Sequence, residues 1–204
     1  MLKKWENWID LKQIKLLDWI ISGAGKEIDS STPEYQKAKY IIAVMYENVS
    51  KFIVTGLIAI LLGVGQYFIF FTIVYGSLKV LAYGAHLQNS FTCLITGTII
   101  YFGSIYLSIF ISNYDIAKSP YLYIIVFAIC YFLFILYAPA VSKEQYLKQE
   151  RNKKLKKILI CYLPVIYILA VFLSPIYRLL LTFSVIAETM NILPLTFLIF
   201  EGRR

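Results

Sequence analysis

This sequence predicts an all-α integral membrane protein, with about six transmembrane helices and an N-terminal amphipathic helix lying in the interface. Three observations carry that reading. The first is composition: 59% of the 204 residues are hydrophobic and 16% are charged, against roughly 25% charged in soluble domains. The second is run length. Residues 52–78 contain no Asp, Glu, Lys or Arg, and neither do residues 80–114. About 20 apolar helical residues cross a hydrocarbon core about 30 Å thick. A closed barrel would instead show short alternating segments. The third is that Lys and Arg gather at the flanks of the apolar runs, most densely at residues 143–157.

Taken in order, residues 2–21 form the interfacial helix. At about 100° per residue, Leu2, Trp5, Trp8, Ile9, Leu16, Trp19 and Ile20 share one broad face, with Lys12 intruding. Charges from Lys3 to Asp18 leave no apolar core behind the start, so a cleavable signal peptide is not expected. Residues 22–32, with Gly23 and Gly25, read as a loop. Thr32-Pro33-Glu34 is a helix start: a capping hydroxyl, proline at the first position and an acid in the first turn. Glu47 and Lys51 mark the last charged turn before hydrocarbon.

Residues 52–78 are long for one span. Gly63-Val64-Gly65-Gln66 offers a break that would make a helical hairpin. Spans follow at about 93–112 and 121–138, separated by a turn at 113–120 and closed by Tyr137-Ala138-Pro139-Ala140. Residues 143–157 hold seven Lys/Arg and two Glu; so short a basic loop marks the cytoplasmic side. The last spans are read at 158–174 and 177–200, joined at Ser174-Pro175. The N-terminus and the tail Gly202-Arg203-Arg204 are also basic. Three basic regions on one side require even numbers of spans between them. That parity favours the hairpin, six spans, and both termini in the cytoplasm of a multi-pass cell-membrane protein. Residues 1–204 then form one domain: interfacial helix and loop over 1–32, membrane core over 33–204. The formal charge of +8 reports orientation in the membrane, not nucleic-acid binding.

The three cysteines, Cys93, Cys130 and Cys161, give no disulfide framework. Cys130 and Cys161 sit in apolar runs and read as packing residues. Cys93 differs, because the only histidine, His86, lies seven residues before it in a polar stretch at a membrane edge. A thiol and an imidazole are the minimum for a cysteine nucleophile. In one straight helix the two would stand about 10 Å apart along the axis, too far for direct proton transfer. The catalytic reading therefore predicts a bend between them. Asn89 and Ser90 are good N-cap residues. With Ser90 as the cap, Cys93 is the third helical residue, near free N–H groups and the positive end of the helix dipole. Gly84 lets the preceding chain turn closely. The alternative is an interfacial histidine and a small packing cysteine.

Gly84-Ala85-His86, Ser90-Phe91 and Cys93 resemble the active-site stretch of the accessory gene regulator B (AgrB) family, membrane-embedded cysteine peptidases of Gram-positive quorum sensing. Tyr137-Ala138-Pro139-Ala140 with the basic segment behind it resembles the family's central cytoplasmic segment. Glu188, followed by Leu193-Pro194, is similar to a glutamate in the family's last helix. Lys79 stands where the family often has arginine, which keeps the charge but not the bidentate fork. The family's proline in the basic loop is missing from Lys143-Glu144-Gln145.

The resemblance implies a function. Cys93 would cleave the acidic C-terminal tail from a small precursor peptide, the D component (AgrD-like), through an acyl-enzyme thioester. His86 would move the proton, and a cysteine or serine of the substrate would close a thiolactone or lactone ring. Gln88, Asn89 or Ser90 could orient His86, as could a residue from another span, and Gly84 would shape the site. Lys79 is a candidate for substrate contact, against a snorkelling anchor, and Glu188 for an active-site or substrate role, against structural hydrogen bonding with Ser184 or a neighbouring helix. No metal or cofactor is expected. The bilayer and a second copy of the chain are the other expected partners. A small transporter would show more polar residues within its spans or an internal repeat. A non-catalytic adaptor would leave the stretch from Gly84 to Cys93 as coincidence.

Overall fold

A computed structural model describes residues 33–84, 90–115, 119–140 and 149–200. The expected interfacial helix over 2–21, the loop over 22–32 and the basic tail lie outside the described residues. Those described form seven helices: α1 (Pro33–Leu61), α2 (Gly65–Ala82), α3 (Ser90–Ser112), α4 (Pro120–Tyr137), α5 (Gln149–Phe172), α6 (Pro175–Ile192) and α7 (Pro194–Phe200). No β-strand occurs among the described residues. The chain divides into two compact units, Met1–Leu57 and Ile58–Arg204.

In the first unit, α1 begins at Pro33, where proline's fixed φ and missing N–H cost a helix nothing. Its later turns expose Val49, Phe52, Ile53, Val54 and Leu57. Thr55 turns its hydroxyl back onto the Lys51 carbonyl at 2.6 Å, the usual way to satisfy a hydroxyl in an apolar run.

The second unit opens with the end of α1. The break expected at Gly63–Gln66 is present, and its cause is local. Val64 N–H reaches the Ala59 carbonyl at 2.9 Å and Gly63 N–H reaches that of Ile60 at 3.0 Å. Gly63 has φ 70°. This is a Schellman ending, with glycine at the left-handed position. Val64 then packs with Ala59 and Phe68.

Three helical stretches are long and apolar enough to cross a membrane: Gly65–Ala82, Thr92–Ser112 and Arg151–Phe172. Asn48–Leu61 and Tyr121–Tyr137 are shorter apolar helices. Their outward faces are apolar, with Ile69, Ile73, Ile99, Phe110, Ile129, Phe132 and Phe172 all exposed. A surface of that kind suits hydrocarbon, where exposing it costs nothing. Helix α6 is central, touching α2, α3, α4, α5 and α7. It buries Leu179, Leu180, Leu181, Val185 and Ile192 together with Ser184, Glu188 and Thr189, as a helix enclosed on most sides does.

Two sequence expectations are corrected. The span read over 177–200 is not continuous: α6 ends at Ile192 and α7 begins at Pro194. Proline cannot donate to the previous turn and pushes the residue before it out of the helical region; Leu193 has φ −66° and ψ 142°. Thr196 donates its hydroxyl to the Met190 carbonyl, which also accepts the Leu193 N–H at 3.4 Å. The basic segment 143–157 is also not wholly a loop. From Gln149 onward it is the first part of α5, because Glu, Arg, Lys and Leu are strong helix formers. Residues 141–148 lie outside the described residues.

Arg178 secures the ends of α5 and α6. Its Nε donates to the Ala170 carbonyl at 3.1 Å, and its Nη2 to those of Val171 and Leu173 at 3.1 Å each. These carbonyls belong to the last turn of α5 and the residue after it, where no intrahelical donor is left and a cation is favoured. The guanidinium also lies over the Tyr123 ring, 5.4 Å from its centroid.

Candidate active site

The opposite end of the second unit gathers the chemically active residues. Helix α2 stops at Ala82. Tyr83 then takes a left-handed φ of 65° while its N–H still reaches the Lys79 carbonyl at 2.9 Å. Gly84 follows with φ 96°. Its N–H donates to the Ala140 carbonyl, and Ala140 N–H donates to the Ala82 carbonyl, both at 2.9 Å. The segment after α4 is thereby tied to the junction between α2 and α3 by a short parallel bridge. A cis peptide bond joins Ala138 to Pro139 within that segment.

Gly84 is buried as well as turned. A Cβ at this position would lie 2.7 Å from Asn191 Nδ2 and 3.2 Å from the Asn191 carbonyl oxygen. Only glycine allows both the dihedral and the approach. The close turn expected of Gly84 is present, and its neighbour is the last turn of α6.

Asn191 donates to Glu188 Oε2 at 3.4 Å. Glu188 is 0% exposed, and its Oε1 has no hydrogen-bond partner among the described residues. Ser184, one candidate partner, gives its hydroxyl proton to the Leu180 carbonyl at 2.8 Å instead. A buried carboxyl with one free oxygen is costly. Lys79, half-buried at the end of α2, lies within electrostatic reach of Glu188. Its Nζ sits 5.7 Å from the centroid of the Tyr75 ring, one turn earlier.

Tyr75 connects this group to the thiol. It is buried, stacked on Phe71 at 5.6 Å and edge-on to Tyr101 at 5.9 Å. It lies within electrostatic reach of both Glu188 and Cys93. Cys93 is half-buried in the first turn of α3. That helix starts at Ser90, so Cys93 is its fourth residue rather than the third expected from a Ser90 cap. It remains in the turn where backbone N–H groups lack helical partners and the dipole is positive.

Gly84, Lys79, Glu188 and Cys93 therefore come to one end of the second unit. His86, Gln88 and Asn89 lie outside the described residues, as does the predicted bend, and the Ser90 side chain is not described. Sequence reasoning missed Tyr75 and Asn191. Their signals were faint: Tyr75 precedes Lys79 by four residues and Asn191 follows Glu188 by three, spacings that share a helix face. Among the described residues, no three His, Cys, Asp or Glu side chains come together to hold a metal ion.

The sequence model of accessory gene regulator B matches residues 15–195. The chain belongs to the accessory gene regulator B family. Its similarity to curated members is modest in identity and broad in coverage. It is 25% identical over 165 residues to accessory gene regulator protein B of Staphylococcus aureus (strain bovine RF122 / ET3-1), covering 80% of this chain and 85% of that protein. The Staphylococcus carnosus protein is 27% identical over 164 residues, covering 80% and 83%. The Staphylococcus haemolyticus protein is 26% identical over 166 residues, covering 80% and 85%. No solved structure matches the chain. The matched accessory gene regulator B region runs from before Lys79 to after Asn191, so it spans every residue of the site.

Proposed function

We propose that this chain is the cysteine peptidase of a quorum-sensing system, and that it processes a small precursor peptide. The observation that carries the reading is the placement of Cys93. It lies in the first turn of a helix, half-buried, within electrostatic reach of the buried Tyr75, which is also within reach of the buried Glu188. Membership of a family linked to autoinducer processing supplies the substrate class.

In the proposed reaction His86 takes the Cys93 proton, and the thiolate attacks the carbonyl preceding the acidic tail of the precursor. The C–N bond breaks, the imidazolium gives its proton to the leaving amine, and an acyl thioester remains on Cys93. A thiol or hydroxyl of the peptide then attacks that thioester. Its proton passes to the imidazole, and the Cys93 thiolate leaves as the ring closes. Gln88, Asn89 or Ser90 would assist around the imidazole, and Lys79 would contact the substrate.

The proposed setting is a single membrane domain in the cell membrane, with α1 to α6 as the six spans. Cys93 and both termini then face the cytoplasm. In support, the basic start of α5 follows the end of α4, which is bridged to the site through Ala140. Family resemblance adds a homodimer.

The test is cleavage of an acidic-tailed precursor by the protein in liposomes. Wild type should release the tail, while Cys93→Ala and His86→Ala should lower the rate by about a hundredfold or more. Equal cleavage by all three would return the chain to the transporter reading.

A further inference from the structure

We propose that the start of α5 binds one anionic phospholipid: Lys154 and Lys157 hold its phosphate, and an acyl chain lies in the groove that runs from Lys157 to Val165. None of these residues belongs to the candidate active site.

The groove has a volume of about 460 Å³ and is lined by Lys157, Ile158, Cys161, Tyr162 and Val165. Ile158, Cys161 and Val165 are exposed on a helix long and apolar enough to cross a membrane. The polar atoms of its wall are already spent. Ser77 gives its proton to the Val74 carbonyl at 2.7 Å, so the Tyr162 hydroxyl donates to Ser77 Oγ, also at 2.7 Å. That bond ties α5 to α2 and holds the Tyr162 ring in place. Pro164 brings no N–H to the Ile160 carbonyl, and the Tyr131 hydroxyl reaches that carbonyl instead, at 3.4 Å. Below Lys157 the lining is therefore apolar apart from the Cys161 thiol.

Charge at the mouth selects the headgroup. Arg151, Lys154 and Lys157 are exposed and follow one another at three-residue spacing, which runs them down one helix face. Lys154 stands four residues before Ile158, and Lys157 four before Cys161, so the cations lie over the groove. No Asp or Glu occurs between Arg151 and Glu188. Clusters of Lys and Arg at the end of a membrane helix attract anionic headgroups. From Lys157 to Val165 the helix rises about 12 Å, against roughly 15 Å of hydrocarbon in one leaflet. A phosphate at Lys157 thus leaves an acyl chain along the groove. An acidic peptide shares the charge but not the fit, because its backbone N–H and C=O groups would go unsatisfied against the apolar wall.

The experiment titrates the full-length protein, in detergent without added lipid, with phosphatidylglycerol or phosphatidylcholine. Native mass spectrometry counts the lipids retained. Wild type should hold one phosphatidylglycerol well ahead of phosphatidylcholine. Lys154→Gln/Lys157→Gln should weaken phosphatidylglycerol binding about 25-fold, at about fivefold per lysine. Lys153→Gln/Lys156→Gln removes the same charge from the neighbouring face and should cost less than about fivefold. Val165→Trp fills the groove beneath intact cations and should also weaken binding. Unfolding temperatures in lipid-free detergent should match wild type in all three variants, which separates lost binding from lost fold.

Equal affinity of wild type for the two lipids would overturn the proposal. So would equal losses in the two lysine pairs, which is what diffuse surface charge produces, or wild-type binding by a folded Val165→Trp. Hexaglutamate bound ahead of phosphatidylglycerol, and lost in Lys154→Gln/Lys157→Gln, would assign the face to an acidic peptide instead. No cleavage is measured, so failure here leaves the peptidase reading untouched.

Discussion

Gly84 has two reasons to be glycine that sequence alone could only half reveal. A positive φ was foreseeable at the end of a helix followed by a polar turn. The contact with Asn191 was not, because it joins residues more than 100 positions apart through the packing of α2 on α6. Gly84→Ala adds a methyl group 2.7 Å from the Asn191 amide nitrogen at φ 96°. Backbone strain of this sort costs about 1–3 kcal/mol. The expected outcome is a lowered unfolding temperature in detergent together with loss of precursor cleavage. Asn191→Ala on top should restore part of the stability but not all, since the dihedral strain persists. The same limit explains the other residues. His86, Cys93 and Glu188 stand out by rarity against an apolar background. Tyr75 is one of 17 tyrosines, and nothing in the chain marks it until α2 and α3 meet.

Helix boundaries were legible where a special residue acts locally. Pro33, the Gly63 turn, Pro120 and Pro175 each begin or end an element where expected. Hydropathy hid the other breaks. Residues 195–200 continue the apolar run and mask the break at Pro194, and the basic charge of 143–157 gives that segment a loop-like composition although Gln149 onward is helix. Arg178 belongs to this scale as well. It binds three carbonyls at the end of α5. Removing a charged donor from such acceptors costs about 2 kcal/mol. Arg178→Ala should therefore lower thermal stability in detergent, and Arg178→Lys should recover only part of the loss because an ammonium lacks the planar fork. Cleavage per folded molecule should stay at the wild-type level, since the site is at the other end of the helices.

At the scale of the molecule, the second unit has two chemically different ends. Cys93, Lys79, Gly84 and Glu188 gather where α2 and α6 end and α3 begins, while Arg178 marks the far end. The proposed six spans, with that end in the cytoplasm, make a specific accessibility prediction. In a background lacking Cys93, Cys130 and Cys161, Tyr114→Cys should react with a membrane-impermeant thiol reagent added to intact cells. Lys153→Cys should react only after permeabilisation. The reverse pattern would invert the topology, and labelling of both from outside would break the span count.

The most direct measurement is capture of the covalent intermediate. Liposome-embedded protein is mixed with an acidic-tailed precursor, quenched in acid and analysed by mass. The account predicts an adduct on Cys93 equal to the precursor without its tail. Hydroxylamine should release it, as expected of a thioester, and it should be absent in Cys93→Ala. Release of the tail with Cys93 unmodified at every time point, and undiminished in Cys93→Ala, would contradict the account.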